Sequence, residues 1–156
     1  TWRLACGGTG ELSEFTARSR SLGLNDDSVQ FLGWLDIEAK DTLLRQCSLL
    51  VLPSRAENMP VSILEAYAYG KPVIATAVGG IPDVVEDGKD GWMVPAGDSQ
   101  ALSVALQIAW ERYSTLSSMG AAGRAKVKTQ YSAECVGKLV DDLYSAVMKR
   151  QTPRSP

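Results

Sequence analysis

The sequence predicts an α/β fold, a doubly wound parallel sheet with helices on both faces. Short apolar runs rich in strand-forming residues alternate with helical stripes at roughly 20–30-residue spacing, which is the rhythm of βαβ units. Two of those runs, Ser48 to Leu52 and Pro72 to Ala75, are unbroken rather than alternating, as expected for strands covered on both faces. The chain has 156 residues, 45% hydrophobic and 22% charged, which suits a single ordinary domain with a real core.

The elements follow in order. Arg3-Leu4-Ala5-Cys6 is a first strand stopped by Gly7-Gly8. Leu12, Phe15 and Leu22 then fall near one helical face, and Gly23 supplies the residue after the helix. Val29-Gln30-Phe31-Leu32 is β-rich and ends at Gly33, after which Asp36 can cap a helix bearing Leu43, Leu44 and Cys47. Ser48 to Leu52 is a third strand ended by Pro53, and a helix starts at about Pro60, since proline suits a first helical turn. Pro72 to Ala75 is a fourth strand, Gly79-Gly80 a tight loop, Ile81 to Glu86 a short helix closed by Asp87-Gly88, and Trp92 to Val94 the last strand. Asp98 caps a helix bearing Leu102, Ala105, Leu106, Ala109 and Tyr113, and a further helix covers Ser117 to Thr129. The final helix carries Val136, Leu139, Val140, Leu143, Tyr144 and Val147, so it is expected to dock on something apolar. Residues 1–150 are thus read as one domain, and 151–156 as a disordered tail.

Composition excludes several classes of function. There is no histidine, which removes Ser-His-Asp and Cys-His catalysis, imidazole zinc sites and imidazole bases. Sixteen basic against eighteen acidic side chains offer no field for nucleic acid. The three cysteines, Cys6, Cys47 and Cys135, lack CxxC spacing and read as core thiols in a reducing compartment. No run is long enough to span a bilayer and no secretory signal is visible, so a cytoplasmic setting is expected. The start at Thr1 falls inside a strand without an initiator methionine, which suggests a fragment.

In a doubly wound sheet, ligands sit outside the carboxyl ends of the strands, so the loops Gly7–Gly10, Gly33–Asp36, Pro53–Met59 and Thr76–Gly80 are expected to share a crevice. Within it, Glu57 lies in a loop and Glu65 on the following helix, about 7–8 Å along the axis from Pro60. Free amides at a helix start can hold a diphosphate, and a carboxylate set back from that end can bind the vicinal hydroxyls of a ribose. A nucleotide-sugar has this layout of ribose, diphosphate and polyhydroxylated ring. Spacing alone also allows two unrelated glutamates favoured by the helix dipole.

The whole segment weighs against coincidence. Pro53-Ser54-Arg55-Ala56-Glu57-Asn58-Met59-Pro60, continuing through Glu65-Ala66-Tyr67-Ala68-Tyr69-Gly70-Lys71-Pro72-Val73-Ile74-Ala75-Thr76 to Gly79-Gly80-Ile81-Pro82-Asp83, resembles the signature of retaining glycosyltransferases of the GT-B fold, family 4 type. Its centre is the Glu-x7-Glu pair. Phe31-Leu32-Gly33 and the stretch from Gly88 to Asp98 extend the resemblance, which reaches from Arg3 to about Tyr144. It implies the Rossmann-like C-terminal lobe, which binds a nucleoside-diphosphate sugar. In that lobe Glu65 would bind the ribose, Glu57 would meet donor-sugar hydroxyls near the reacting carbon, and Asn58 to Val61 would lie around sugar and diphosphate. Many relatives have glycine where this chain has Pro60, and proline has no N–H to donate, so amide contacts are assigned to Asn58, Met59 and Val61. The family's first βα unit of the lobe, with its basic residues, is not found here. Nor is the N-terminal lobe through which an acceptor glycan, lipid or small molecule would bind.

Other features remain two-sided. Gly8-Thr9-Gly10 lacks the third glycine of a dinucleotide fingerprint, since Ser13 stands there. Gly79 and Gly80 fit either a close approach to the donor or a plain tight turn. Gly33 and Trp34 lie on a loop expected at the donor site, where Trp34 fits either a nucleobase contact or core packing. Lys71 fits either phosphate neutralisation or a solvated loop, and Lys149, Arg150 and Arg154 either an anionic membrane face or plain solvation. No cofactor or metal is expected, because a helix start and basic residues can take the diphosphate charge. A fragment of this kind is expected to be inactive by itself and prone to self-association. The alternatives are a nucleotide-binding module without turnover and a sugar-nucleotide epimerase of the same architecture. The donor base and sugar, the acceptor, the linkage and the oligomeric state are not legible.

Overall fold

The computed structural model describes residues 2–151. Its elements alternate as expected: β1 (Leu4–Gly7), α1 (Leu12–Ser21), β2 (Val29–Gly33), α2 (Ile37–Gln46), β3 (Leu50–Leu52), α3 (Val61–Ala68), β4 (Val73–Thr76), α4 (Ile81–Val84), β5 (Gly91–Val94), α5 (Ser99–Glu111), α6 (Leu116–Lys126) and α7 (Ala133–Gln151). All strand pairing is parallel, within a two-stranded sheet β1-β2 and a three-stranded sheet β3-β4-β5. The chain divides into two compact units, residues 1–46 and 47–156.

In the first unit Leu4, Ala5 and Cys6 face Val29, Gln30 and Phe31 in register. The rings of Phe15 and Phe31 stack at 6.4 Å between centroids. The turn after β1 leads into α1 and is held by the Gly8 amide donating to the Gly33 carbonyl, 2.7 Å. It is a strand-to-helix turn, as the missing third glycine implied. Asp36 caps α2 as expected, its carboxylate accepting from the Ala39 amide at 2.8 Å. Trp34 is 79% exposed, so core packing does not account for it.

The second unit holds the core. Successive strand residues point to opposite faces, and every residue of β4 is buried, so β4 is covered on both sides. Helix α3 packs on β3 and β4, and α5 on β4 and β5. β3 is only half-buried, unlike the expectation for Ser48 to Leu52, because it lies at the edge of its hydrogen-bonded sheet. The helix after Gly80 is one turn rather than reaching Glu86, since Val85 is already extended. The helix expected to end at Thr129 ends at Lys126 and continues as a wider π turn through Tyr131. Helix α7 corrects two expectations. It runs through Gln151, into the segment read as tail, while residues 152–156 and with them Arg154 lie outside the described residues. Its apolar stripe does not dock: Val136, Leu139, Val140, Leu143, Tyr144 and Val147 are all exposed.

None of the three cysteines is in a disulfide, and all are half-buried rather than core residues. Burial raises the Cys6 and Cys47 thiols above their ordinary range, with Lys71 partly opposing the rise at Cys47. No helix among the described residues is long and apolar enough to cross a membrane.

Candidate functional site in the second unit

The candidate site grows from the carboxyl end of β4. Thr76, the last residue of that strand and almost fully buried, donates its hydroxyl to the Ser54 carbonyl. The Ser54 hydroxyl in turn donates to Oε1 of Glu57 at 2.7 Å. A strand end thereby fixes a loop, and the loop fixes a half-buried carboxylate. Neither Ser54 nor Thr76 stands out in the sequence, because a hydroxyl in a loop or at a strand end is ordinary until its partner is known.

The loops Pro53–Met59 and Thr76–Gly80 meet, as expected for neighbouring strands of one parallel sheet. The Gly80 amide donates to the Asn58 carbonyl at 2.7 Å. A Cβ on Gly79 would overlap the Glu57 carbonyl oxygen, and one on Gly80 would sit 2.5 Å from that of Asn58. Gly79 also has φ +54°, a conformation that favours glycine. The pair is therefore more than a tight turn, because its missing side chains let two backbones touch.

Pro60 stands one residue before α3 rather than in its first turn, with φ −74° and ψ 107°. Val61 is the first helical residue, and it and Met59 are exposed. Among the described residues the amides of Asn58, Met59 and Val61 carry no hydrogen bond. Val61 is a donor at the positive end of a helix, with Asn58 and Met59 just ahead of it, which is an arrangement that suits an anion. Glu65 lies four residues into α3 and is half-buried, about 6 Å along the axis from Val61. Glu57, Asn58, Met59, Val61, Gly79 and Gly80 thus gather at one end of the sheet, with Glu65 one turn behind. Gly33 and Trp34 belong to the first unit and stand apart from this description.

Lys71 lies beyond the opposite end of β4, two residues before Val73, and the strand alone spans about 10 Å from Val73 to Thr76. That position excludes it from a phosphate held at the Gly79–Gly80 loop. An open groove lined by Lys89, Trp92, Arg112, Thr115 and Ser118 shares no residue with the site.

Residues 1–111 match the family described as Glycosyl transferases group 1. The D-rhamnosyltransferase WbpZ of Pseudomonas aeruginosa is 34% identical over 130 residues, which cover 81% of this chain and 34% of that protein. Sucrose-phosphate synthase from Thermosynechococcus elongatus is similar in structure with a TM-score of 0.83 at 27% identity, over 95% of this chain and 39% of that one. HepE of Anabaena, solved in complex with UDP, has a TM-score of 0.83 at 25% identity, over 93% of this chain and 41% of that one. The chain spans about a third of the length of the curated relatives it matches, 32–34%. Its parallel α/β architecture, its GT-B structural neighbours and the family match agree: this chain belongs to the group 1 glycosyltransferases.

Proposed function

We propose that these residues form the donor-binding part of a retaining glycosyltransferase of family 4 type, and that the whole protein moves a sugar from a nucleoside diphosphate to an acceptor. The observation that carries this reading is the set of three unpaired amides leading into the start of α3, bracketed by Glu57 and Glu65 and closed by Gly79–Gly80. The diphosphate would lie against the amides of Asn58, Met59 and Val61. Glu65 would accept from the ribose hydroxyls. Glu57, fixed by Ser54, would accept from the donor-sugar hydroxyls near the reacting carbon, where a fixed carboxylate also stabilises positive charge developing at that carbon. The amides would take the phosphate charge without a metal ion. The UDP complex of HepE makes UDP the first nucleotide to try. Transfer itself needs donor and acceptor held together, and the acceptor is proposed to bind residues beyond these 156. The setting proposed is the cytoplasm, at the inner face of the membrane where the acceptor is a lipid.

The test is calorimetric titration of the protein with UDP, GDP and ADP, each with and without an attached sugar and with EDTA present. Glu65→Gln should weaken every ligand of the preferred base by about ten-fold or more, the loss of a charge-assisted hydrogen bond of about 1.5–3 kcal/mol. Glu57→Gln should weaken only the sugar-bearing ligand. Equal weakening of free nucleoside diphosphate by both changes would reverse the assignment of the two carboxylates.

A further inference from the structure

The far ends of α3 and α4 share a buried charge cluster that the donor site does not contain. Asp90, fully buried just before β5, accepts at Oδ1 from the Tyr67 hydroxyl at 2.6 Å and from the Glu86 amide at 2.8 Å. Its Oδ2 pairs with Nζ of Lys126, the last residue of α6. The same ammonium donates to the Val84 carbonyl at 2.8 Å and stands 5.9 Å from the centre of the Tyr67 ring. Gly123 makes room for this: a Cβ there would overlap that ring.

The placement of these contacts matters more than their number. Tyr67 is the second-last residue of α3, and Val84 is the last of α4. The opposite ends of the same two helices carry Val61 and Gly80, and Gly80 holds the Asn58 carbonyl. One lysine therefore ties together the distal ends of two short helices whose proximal ends enclose the donor loop. Helix α4 is a single turn, so Val84 lies only about 6 Å along its axis from Gly80. A lost tether at Val84 has little helix in which to dissipate.

We infer that Lys126, paired with Asp90, is a positioning residue that holds the Gly80–Asn58 contact closed, and so presets the donor loop before any ligand arrives. This rests on the donor-site reading above for its functional meaning, but its geometry can be tested without a ligand. A buried ion pair need not add net stability, since a neutral replacement of both partners is often tolerated whereas removal of one leaves a stranded charge. That difference separates positioning from mere stability.

The experiment is amide hydrogen exchange by NMR on the 156-residue chain, with thermal unfolding alongside. Lys126→Met should lower the melting midpoint sharply. The double variant Lys126→Met with Asp90→Asn should recover most of that loss, because the Asn carbonyl keeps the Tyr67 and Glu86 bonds while no buried charge is stranded. Gly80 should nevertheless exchange at least about ten-fold faster than in the wild type, relative to the β4 amides of Ile74 and Ala75. UDP, titrated as the probe, should bind the double variant about ten-fold more weakly. Unchanged relative protection of Gly80 in the folded double variant would overturn the inference. A second measurement needs no variant: in the wild type the Gly80 and Val85 amides should open together, with one urea dependence. Separate opening of Gly80 below Val85 would overturn it too. Failure of UDP to bind the wild type would sink the donor-site reading and leave both exchange outcomes decisive.

Discussion

Helices α3 and α7 both carry an apolar face and meet opposite fates. On α3, Ile63, Ala66 and Tyr67 are fully buried, against β3, β4 and α6. On α7, a helix more than twice as long, every large apolar residue from Val136 to Met148 is exposed. A stripe states that a helix has a face to cover, but not what covers it. For α3 the partner is supplied by the sheet it connects and by α6, whose Gly120 and Gly123 permit approach close enough to touch the backbone at Gly70 and the ring of Tyr67. The glycine of α7 marks no comparable approach: a Cβ on Gly137 would meet nothing within 4 Å.

The largest effect that would sharpen this contrast is cavity formation. Ile63→Ala should destabilise the chain by about 2–5 kcal/mol, since a fully buried side chain leaves a void that its neighbours refill only in part. Chemical denaturation with an unchanged slope would measure it, and a loss below about 1 kcal/mol would mean that the α3 seam is far looser than its burial implies.

An effect of intermediate size comes from Tyr67. Burial, then the hydrogen bond to and the charge of Asp90, push its hydroxyl far above the ordinary tyrosine range. The folded state therefore keeps the proton while the unfolded state releases it near pH 10. Stability from this group is complete below that pH and should fall above it by about 1.4 kcal/mol per pH unit, as the unfolded chain ionises. Tyr67→Phe should remove that slope. A wild-type slope that persists unchanged in the variant would assign it to other tyrosines.

The smallest expected effect lies on α7. Leu139→Ala should change the stability of this chain by no more than about 0.5 kcal/mol, because the side chain is already in water. Sedimentation of the wild type against Leu139→Ala with Leu143→Ala tests whether the stripe mediates self-association: a concentration-dependent mass lost in the variant would show that it does, whereas a large stability loss in dilute Leu139→Ala would show that α7 is not free.

Much of the candidate site was legible because it is local. Glu57, Asn58, Met59 and Val61 lie within five residues, and the carboxylate spacing and the proline beside them carry chemical meaning without a fold. Gly79 and Gly80 were ambiguous in sequence, since a turn and a close approach need the same residue; only the Asn58 carbonyl beneath them decides. Ser54 and Thr76 were missed because a hydroxyl acquires a role from its acceptor. The Asp90–Lys126–Tyr67 cluster was missed for a stronger reason: its members are separated by 23 and 36 positions, and each alone looks like an ordinary surface residue or core aromatic.

The sequence by itself determined the order and type of the elements, the parallel sheet architecture and the loop and following helix that carry the two carboxylates. Those follow from periodicities of two and 3.6 residues, from turn residues and from a contiguous motif, all of which act over a few positions. Tertiary structure alone decided which stripes are covered, which glycines are contacts, where Lys71 stands relative to the site and which buried charge finds its partner. These depend on pairs distant in sequence, whose free energy is set by distance and burial, and neither exists until the chain has folded.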